Sequence, residues 1–360
     1  MKYSYVEKAH SIQIEISTKC NAQCPACIRT DSKSLVHTQE IIPKNKEMPL
    51  ATMTKIFSSQ FTQNLQAIEF CGTMDEPLMH SEFLEMIDEI YRLNPKVSIK
   101  VHTNAGLRNE SYFAELARKL QRAGESSCVK FSIDGLADTN SIYRYKVEWD
   151  RVYSNLKAFV DAGGRAEWQM LIFPWNQHQV STARQMAQDI GCIAFKARPD
   201  RTMTSAWGLE QILKTRAEEV TPVGRLRSGD PAAMNLIEQR MGEPIDCVYK
   251  DSRQMIFVSW DAQVWPCCFW TNIRYENQLK KQKLQETVFE KYGDTFNSLE
   301  HHSLDEILRH PFFAHDLVKS WEEGSSLKWR CVDKCSTARV RTADGKPDDK
   351  KPYEFIEFSK

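Results

Sequence analysis

Three cysteines fall within eight residues of the segment S-T-K-C-N-A-Q-C-P-A-C, which sets Cys20, Cys24 and Cys27 at C-x3-C-x2-C spacing. Thiolates this close can wrap one compact centre, and soft sulfur donors select an iron–sulfur cluster, zinc or copper(I). Three ligands on a four-iron cube leave one iron open to another group, much as a catalytic zinc keeps an open position. Zinc with a distant fourth ligand such as His37, or three unrelated thiols, would satisfy the same spacing. A second set lies far downstream: Cys247, then Cys267 and Cys268 in W-D-A-Q-V-W-P-C-C, then Cys331 and Cys335 in W-R-C-V-D-K-C. Eleven cysteines is an odd number, and a reducing compartment disfavours disulfides, so ligation takes precedence over cross-linking.

The remaining composition narrows the setting. The chain has 360 residues, 41% hydrophobic and 27% charged, which suits a folded protein of about two domains. Forty-eight basic residues balance forty-eight acidic ones, so bulk electrostatics gives no reason to expect nucleic-acid or membrane partners. No apolar stretch is long enough to span a bilayer, and the N-terminus lacks a signal-peptide core. A cytoplasmic location is expected.

Six apolar, β-branched segments are positioned to present these residues. The first is S-I-Q-I-E-I-S, with Ile12, Ile14 and Ile16 at period two. AIEF (67–70), VSIKVH (97–102), CVKFSI (128–133), EWQMLIF (167–173) and IAFKA (193–197) follow. Between them run helical stripes: Phe83, Met86, Ile87 and Ile90; Tyr112, Leu116 and Leu120; Val152, Leu156, Phe159 and Val160. Strand–helix alternation predicts right-handed crossovers and a parallel sheet, open or closed into an incomplete barrel. Chemistry then belongs at the strands' C-terminal ends. A polar, helix-prone connector is expected over 201–246, a short hairpin around Asp261, helices over 278–323 with SLDEIL N-capped, and a frayed tail from about 341.

The C-x3-C-x2-C loop directly after the first strand of a β/α series resembles the radical S-adenosylmethionine (radical SAM) superfamily. The resemblance covers about 10–200 for the core and 245–340 for a second region. It implies a partial (β/α)6 TIM-like barrel and a [4Fe–4S] cluster on Cys20, Cys24 and Cys27, with S-adenosyl-L-methionine chelated at the open iron. It also implies reductive cleavage of that cofactor to a 5′-deoxyadenosyl radical. F-C-G-T-M-D-E-P resembles the family's Gly-Gly-Glu-Pro turn, so Gly72 and either Asp75 or Glu76 are implied to meet the methionine amine, although Thr73 and Met74 depart from the double glycine. H-T-N-A-G is similar to a T-N-G turn and brings in Thr103 and Asn104. F-S-I-D-G followed by Y-R implies Ser132 and Asp134 at polar groups of the cofactor and Arg144 at its carboxylate. Asn176 matches an asparagine often near the nucleoside, and Lys196 or Arg198 ends the sixth strand. Turn caps, a solvated acidic loop and surface charge are the plain alternatives for these residues.

The downstream cysteines resemble the SPASM and twitch domains, whose hairpin usually reads D-G-x-V-x-P-C; here Ala262 replaces the glycine. Five cysteines suit one auxiliary [4Fe–4S] cluster, on Cys247, Cys267, Cys331 and Cys335, with Cys268 spare. Structural zinc is the alternative, though zinc knuckles pair C-x2-C units. The expected organisation is a core at 1–200, a connector at 201–246, a small α+β twitch-like domain at 247–340 and a tail at 341–360. The expected activity is that of an oxidoreductase. It would modify a peptide or protein oxidatively, with a reductant such as flavodoxin or ferredoxin and an auxiliary cluster that accepts an electron. A small-molecule dehydrogenase, for example on an aminocyclitol or sugar alcohol, is the alternative enzyme. A non-catalytic iron–sulfur carrier or zinc scaffold is the alternative class.

Overall fold

The structure is a computed structural model, and it describes residues 4–25, 27, 29, 42–57, 60–71, 73–199, 238–239, 241–242, 245, 247–276, 278–323, 325–335 and 354–358. The strands are β1 (Ser11–Ile14), β2 (Ala67–Phe70), β3 (Ser98–Thr103), β4 (Cys128–Ser132), β5 (Ala166–Ile172), β6 (Ala194–Pro199), β7 (Met255–Val258), β8 (Val264–Trp265) and β9 (Glu354–Glu357). All six segments expected from β-branched runs are strands, within a residue or so at their C-terminal ends except the first. Expected to Ser17, the first strand stops at Ile14.

The chain divides into two compact units. One comprises Met1–Ile14, Met48–Ile68 and Leu226–Asp348; the other comprises Glu15–Glu47, Glu69–Arg225 and Asp349–Lys360. This division departs from boundaries drawn in chain order. In the first unit β1 runs parallel to β7, from Ser11 opposite Met255 to Ile14 opposite Val258, so the opening strand groups with the C-terminal segment. All four β1 residues are buried, on both faces, as a strand inside a parallel pair requires. Antiparallel β7 and β8 make the hairpin expected around Asp261. Ser303 and Glu306 form a reciprocal capping box that starts the helix Leu304–Arg309. The connector expected over 201–246 lies almost wholly outside the described residues.

In the second unit β3, β4, β5 and β6 pair in sequence order, all parallel. Their alternation is strict. Val101, Val129, Phe131, Trp168 and Phe195 are fully buried, and the opposite face carries His102, Lys130, Ser132, Gln169 and Lys196. Register places His102, Lys130 and Glu167 in one polar layer. Ser132, Gln169 and Lys196 form the next layer towards the strands' C-terminal ends. The crossover helices Phe83–Leu93, Glu110–Leu120, Trp149–Asp161 and Val180–Ile190 each bury one stripe.

Two stripes differ in phase from expectation. Asn109 caps Glu110–Leu120 through the Tyr112 N–H, and this phase buries Phe113 and Ala117 with Leu116 and Leu120. Tyr112 is left half-buried under the Arg108 guanidinium, 4.9 Å from its ring centre. On Trp149–Asp161 the buried set is Val152, Asn155, Leu156 and Phe159, not Val160, because the Asn155 amide donates to the carbonyls of Ala105 and Leu107. The expected frayed tail is also corrected in part. Residues 354–357 form β9, antiparallel to β6, where the alternating E-F-I-E satisfies an otherwise open backbone edge.

Candidate active site and auxiliary cysteine cavity

The loop after β1 carries Cys20, Cys24 and Cys27, and a bond from the Cys27 N–H to the Cys24 carbonyl (3.0 Å) folds it back on itself. The three thiols are mutually close enough to perturb one another. Burial pushes Cys20 well above the ordinary thiol value, with Glu76, Cys24 and Cys27 adding to the rise. Burial pushes Cys24 up to about 11, against the Arg144 guanidinium, and raises Cys27 as well. Clustered, buried thiols of this kind lose their protons on binding iron, which supplies the compensating positive charge.

The turn after β2 resolves the two acidic candidates. Asp75 Oδ2 accepts the N–H groups of Ile16 (3.2 Å) and Ser17 (3.1 Å) and so fixes the start of the cysteine loop. Burial and the facing Glu15 carboxylate push its carboxyl well up. Glu15 Oε1 in turn accepts the Met74 N–H (2.8 Å). Glu76 Oε2 accepts the Asn104 N–H (2.7 Å), while among the described residues its Oε1, also buried, has no hydrogen-bond partner. Burial raises Glu76 to about 7. Gly72 lies outside the described residues.

After β3, the Thr103 hydroxyl accepts the Ala105 N–H, and Asn104 Oδ1 accepts the Gly106 N–H. The Asn104 amide donates to Asn21 in the cysteine loop (2.9 Å). Ala105 sits at φ 56°, so the turn holds a left-handed residue that is not glycine. Thr103 and Asn104 thus brace the turn and tie it to the loop.

After β4, Asp134 is 1% exposed and forms an ion pair with Arg144 Nε at 2.6 Å, and Arg144 Nη1 lies 3.8 Å from Cys24 Sγ. The Leu171 N–H donates to Asp134 Oδ1 (2.6 Å). Ser132, Asp134, Arg144, Gln169, Met170, Leu171, Lys196 and Arg198 line one cleft, which gathers five of the expected polar residues from two strand ends. Asn176 lies apart from this cleft. It is fully buried, outside that lining, and its amide donates to the carbonyls of Asp134 (2.8 Å) and Leu171 (2.9 Å) while accepting the Phe173 N–H (2.7 Å). Those bonds position the Asp134 turn and use both amide hydrogens of Asn176 within the fold. Gln169, Glu15 and Asn21 were missed. The strand alternation that selects Ser132 also points Gln169 into the cleft, whereas no local signal marks Glu15 or Asn21.

In the other unit, Cys247, Cys267, Cys331 and Cys335 line one cavity together with Tyr5, Tyr249, Trp270, Trp321, Arg330 and Lys334. Burial raises Cys247 to about 11 and Cys331 to about 12, and it pushes Cys267 well up, with Cys268, Cys331, Cys247 and Cys335 adding to the rise. Trp321 Nε1 donates to Cys331 Sγ at 3.4 Å. Cys268 is not in the lining; its thiol meets the Tyr249 hydroxyl at 3.0 Å, and that hydroxyl donates to Gln13 Oε1. Ala262, in the hairpin, has φ 62°. Among the described residues no three His, Cys, Asp or Glu side chains converge tightly enough for a single ion. A four-iron cube, with one thiolate per corner, asks for a wider set. Both cysteine groups fit a cluster by donor type and burial.

Residues 14–186 match the Radical SAM superfamily. No curated protein sequence matches the chain. Among solved structures, anSMEcpe with bound AdoMet aligns at 15% identity and a TM-score of 0.52, over 94% of this chain and 91% of that one. SuiB of Streptococcus suis bound to S-adenosylmethionine aligns at 13% identity and 0.50, over 79% and 68%. BtrN in complex with AdoMet and 2-DOIA aligns at 12% identity and 0.43, over 93% and 95%. The chain spans 65%, less than two thirds, of the length of SuiB in another of its structures. The α/β partial-barrel class follows from the family match together with the parallel strands, and the cofactors of that family are a [4Fe–4S] cluster and S-adenosyl-L-methionine. Residues 14–186, just under half of the chain, are thus similar to the radical SAM superfamily, and the chain shares the fold of anSMEcpe over 94% of its length.

Proposed function

We propose that the chain takes a hydrogen atom from a peptide or protein substrate and oxidises it, with an auxiliary [4Fe–4S] cluster on Cys247, Cys267, Cys331 and Cys335 accepting the electron left behind. The observation that carries this reading is the four-cysteine cavity: four ligands for one cube, with the fifth thiol, Cys268, engaged by Tyr249 instead. A fully ligated cluster has no open iron for substrate, which favours electron transfer over substrate binding. The preference for a peptide follows the fold shared with anSMEcpe, whose structure with bound AdoMet and Cp18Cys peptide aligns over 94% of this chain at a TM-score of 0.51.

When bound, the three-cysteine cluster and S-adenosylmethionine together supply one-electron cleavage of the sulfonium and the radical that abstracts hydrogen. The chain's own residues hold and aim that chemistry. Cys20, Cys24 and Cys27 are the cluster ligands. Glu76, with a buried oxygen unspent, receives the methionine amine, while Asp75 serves the backbone of the cysteine loop. Arg144, held by Asp134 beside Cys24, meets the methionine carboxylate, and Ser132, Lys196 and Arg198 line the remaining cleft. Burial at the strand ends excludes water and competing hydrogen donors.

Deuterium transfer tests the substrate class. The reconstituted enzyme is incubated with a perdeuterated peptide digest, or with a perdeuterated pool of cyclitols and sugars, and deuterium is measured in 5′-deoxyadenosine. Label from the peptides alone supports this reading. Label from the alcohols alone favours a small-molecule dehydrogenase.

A further inference from the structure

One wall of the four-cysteine cavity is made of buried charge. Arg330 and Lys334 line the cavity, and both belong to a network with Lys280, Glu276 and Asp333. Arg330 donates to Glu276 Oε1 at 2.5 Å and to Asp333 Oδ2 at 2.7 Å. Lys280 reaches Glu276 Oε2 at 3.0 Å and Asp333 Oδ2 at 2.7 Å, and Lys334 lies 3.5 Å from Asp333 Oδ2. The Arg330 and Lys280 side chains are 1% and 0% exposed. Among the described residues, three cations thus share two carboxylates, with Arg330 and Lys280 closed to water and Lys334 27% exposed at the edge. Apolar residues of similar volume would pack there at lower cost, so an arrangement of this kind calls for an anion nearby to offset it.

The cavity supplies that anion if its four thiolates hold a four-iron cube, whose charge with those ligands is negative and becomes more negative on reduction. We propose that the network is the electrostatic counterweight of the auxiliary cluster. It raises the cluster's reduction potential and so makes the C-terminal centre an electron acceptor, with Lys334 and Asp333 as positioning residues of opposite sign. This rests on the assignment of the auxiliary cluster above. Net charge and hydrogen bonds to sulfur are the levers by which a protein sets such a potential. The Trp321 N–H donated to Cys331 Sγ acts in the same direction as the cations.

The test is a redox titration of the reconstituted full chain, followed by electron paramagnetic resonance, in a Cys24→Ala background that leaves the C-terminal centre to be read alone. Lys334→Met should lower the potential, so that at a fixed applied potential the ratio of reduced to oxidised cluster falls about tenfold, equal to about 59 mV for one electron. Asp333→Asn should move it the other way by a similar factor, and Lys334→Arg should leave it in place. Opposite shifts from neighbouring residues of opposite charge are not what a merely structural role produces. Unchanged potentials, or shifts of the same sign for Lys334→Met and Asp333→Asn, with iron content retained, would overturn the inference. Should Lys334→Met lose its iron, the direction of the Asp333→Asn shift decides. Absence of iron in the Cys24→Ala protein itself, before any further substitution, would instead overturn the cluster assignment.

Discussion

Replacing Asn176 with alanine separates a positioning role from a cofactor contact. The side chain is fully buried and makes three hydrogen bonds to the main chain, at Phe173 N, Asp134 O and Leu171 O. Its loss strands one donor and two acceptors away from water. At roughly 1 kcal/mol or more per abandoned buried group, the cost is about 3 kcal/mol. Such a deficit corresponds to roughly a hundredfold faster amide exchange wherever the local opening is governed by these bonds. The Phe173 and Leu171 amides report it directly, since the first bonds Asn176 and the second bonds the Asp134 carboxylate that Asn176 supports. Hydrogen exchange of the cofactor-free protein, compared with Asn176→Asp, is the assay. The aspartate keeps the acceptor for Phe173 but turns a buried carboxylate oxygen on the Asp134 and Leu171 carbonyls, so it should lose at least as much protection as the alanine. Exchange in the alanine variant indistinguishable from the parent, with only S-adenosylmethionine affinity reduced, would refute the positioning argument and restore a nucleoside contact.

Three further outcomes follow from particular residues. Ala262 occupies a left-handed conformation at φ 62°, so Ala262→Gly should stabilise the chain by about 0.5 kcal/mol, the relief of strain exceeding glycine's entropic cost; a fall in melting temperature would contradict this. Glu69 accepts from His102 Nε2 and Lys130 Nζ, each at 2.6 Å, and these partners hold its carboxyl far below the ordinary value despite burial. A depressed folded-state value gives stability that is fully present above the unfolded carboxylate's pKa, about 4.3, and is lost progressively as the pH falls from there through the lower folded-state value. Glu69→Gln should therefore be less stable near neutrality and flatter in its stability–pH curve below about pH 5, as urea unfolding across pH will show; an unchanged acid slope would refute the pairing. Cys268→Ala should retain its iron, because that thiol faces Tyr249, whereas Cys267→Ala should lose about four irons per chain. Iron analysis reads both, and equal losses would mean that Cys268 is a ligand.

Much of the site was legible in the residues themselves. Period-two alternation located strands, the resemblance of F-S-I-D-G and Y-R to the radical SAM family implied Ser132, Asp134 and Arg144, and the strand-end rule added Lys196 and Arg198; all five line one cleft. The resemblance of the downstream segments to SPASM and twitch domains, with the count of five cysteines, implied the four that line a common cavity. What stayed hidden depends on contacts distant in sequence. Asn176 has the right type and place for a ligand, and only its three main-chain bonds show that it is committed elsewhere. The choice between Asp75 and Glu76 turns on which carboxylate the β1 end uses, across some sixty residues of chain. β9 could not be read from its charged surroundings, because the pairing partner that makes a strand of E-F-I-E lies at 194–197. The helix phase at Tyr112 was set by the Asn109 cap rather than by the apolar stripe alone.

Two separate cysteine groups, each with its own cluster, make a division of labour that can be read directly. Anaerobic reconstitution with iron and sulfide, followed by iron analysis and assay of 5′-deoxyadenosine after dithionite reduction with S-adenosylmethionine, tests it in one experiment on the parent, Cys24→Ala and Cys331→Ala. About eight irons per chain are expected for the parent and about four for each variant, with cofactor cleavage abolished in Cys24→Ala and retained in Cys331→Ala. Zinc in place of iron, or cleavage that survives Cys24→Ala, would contradict it.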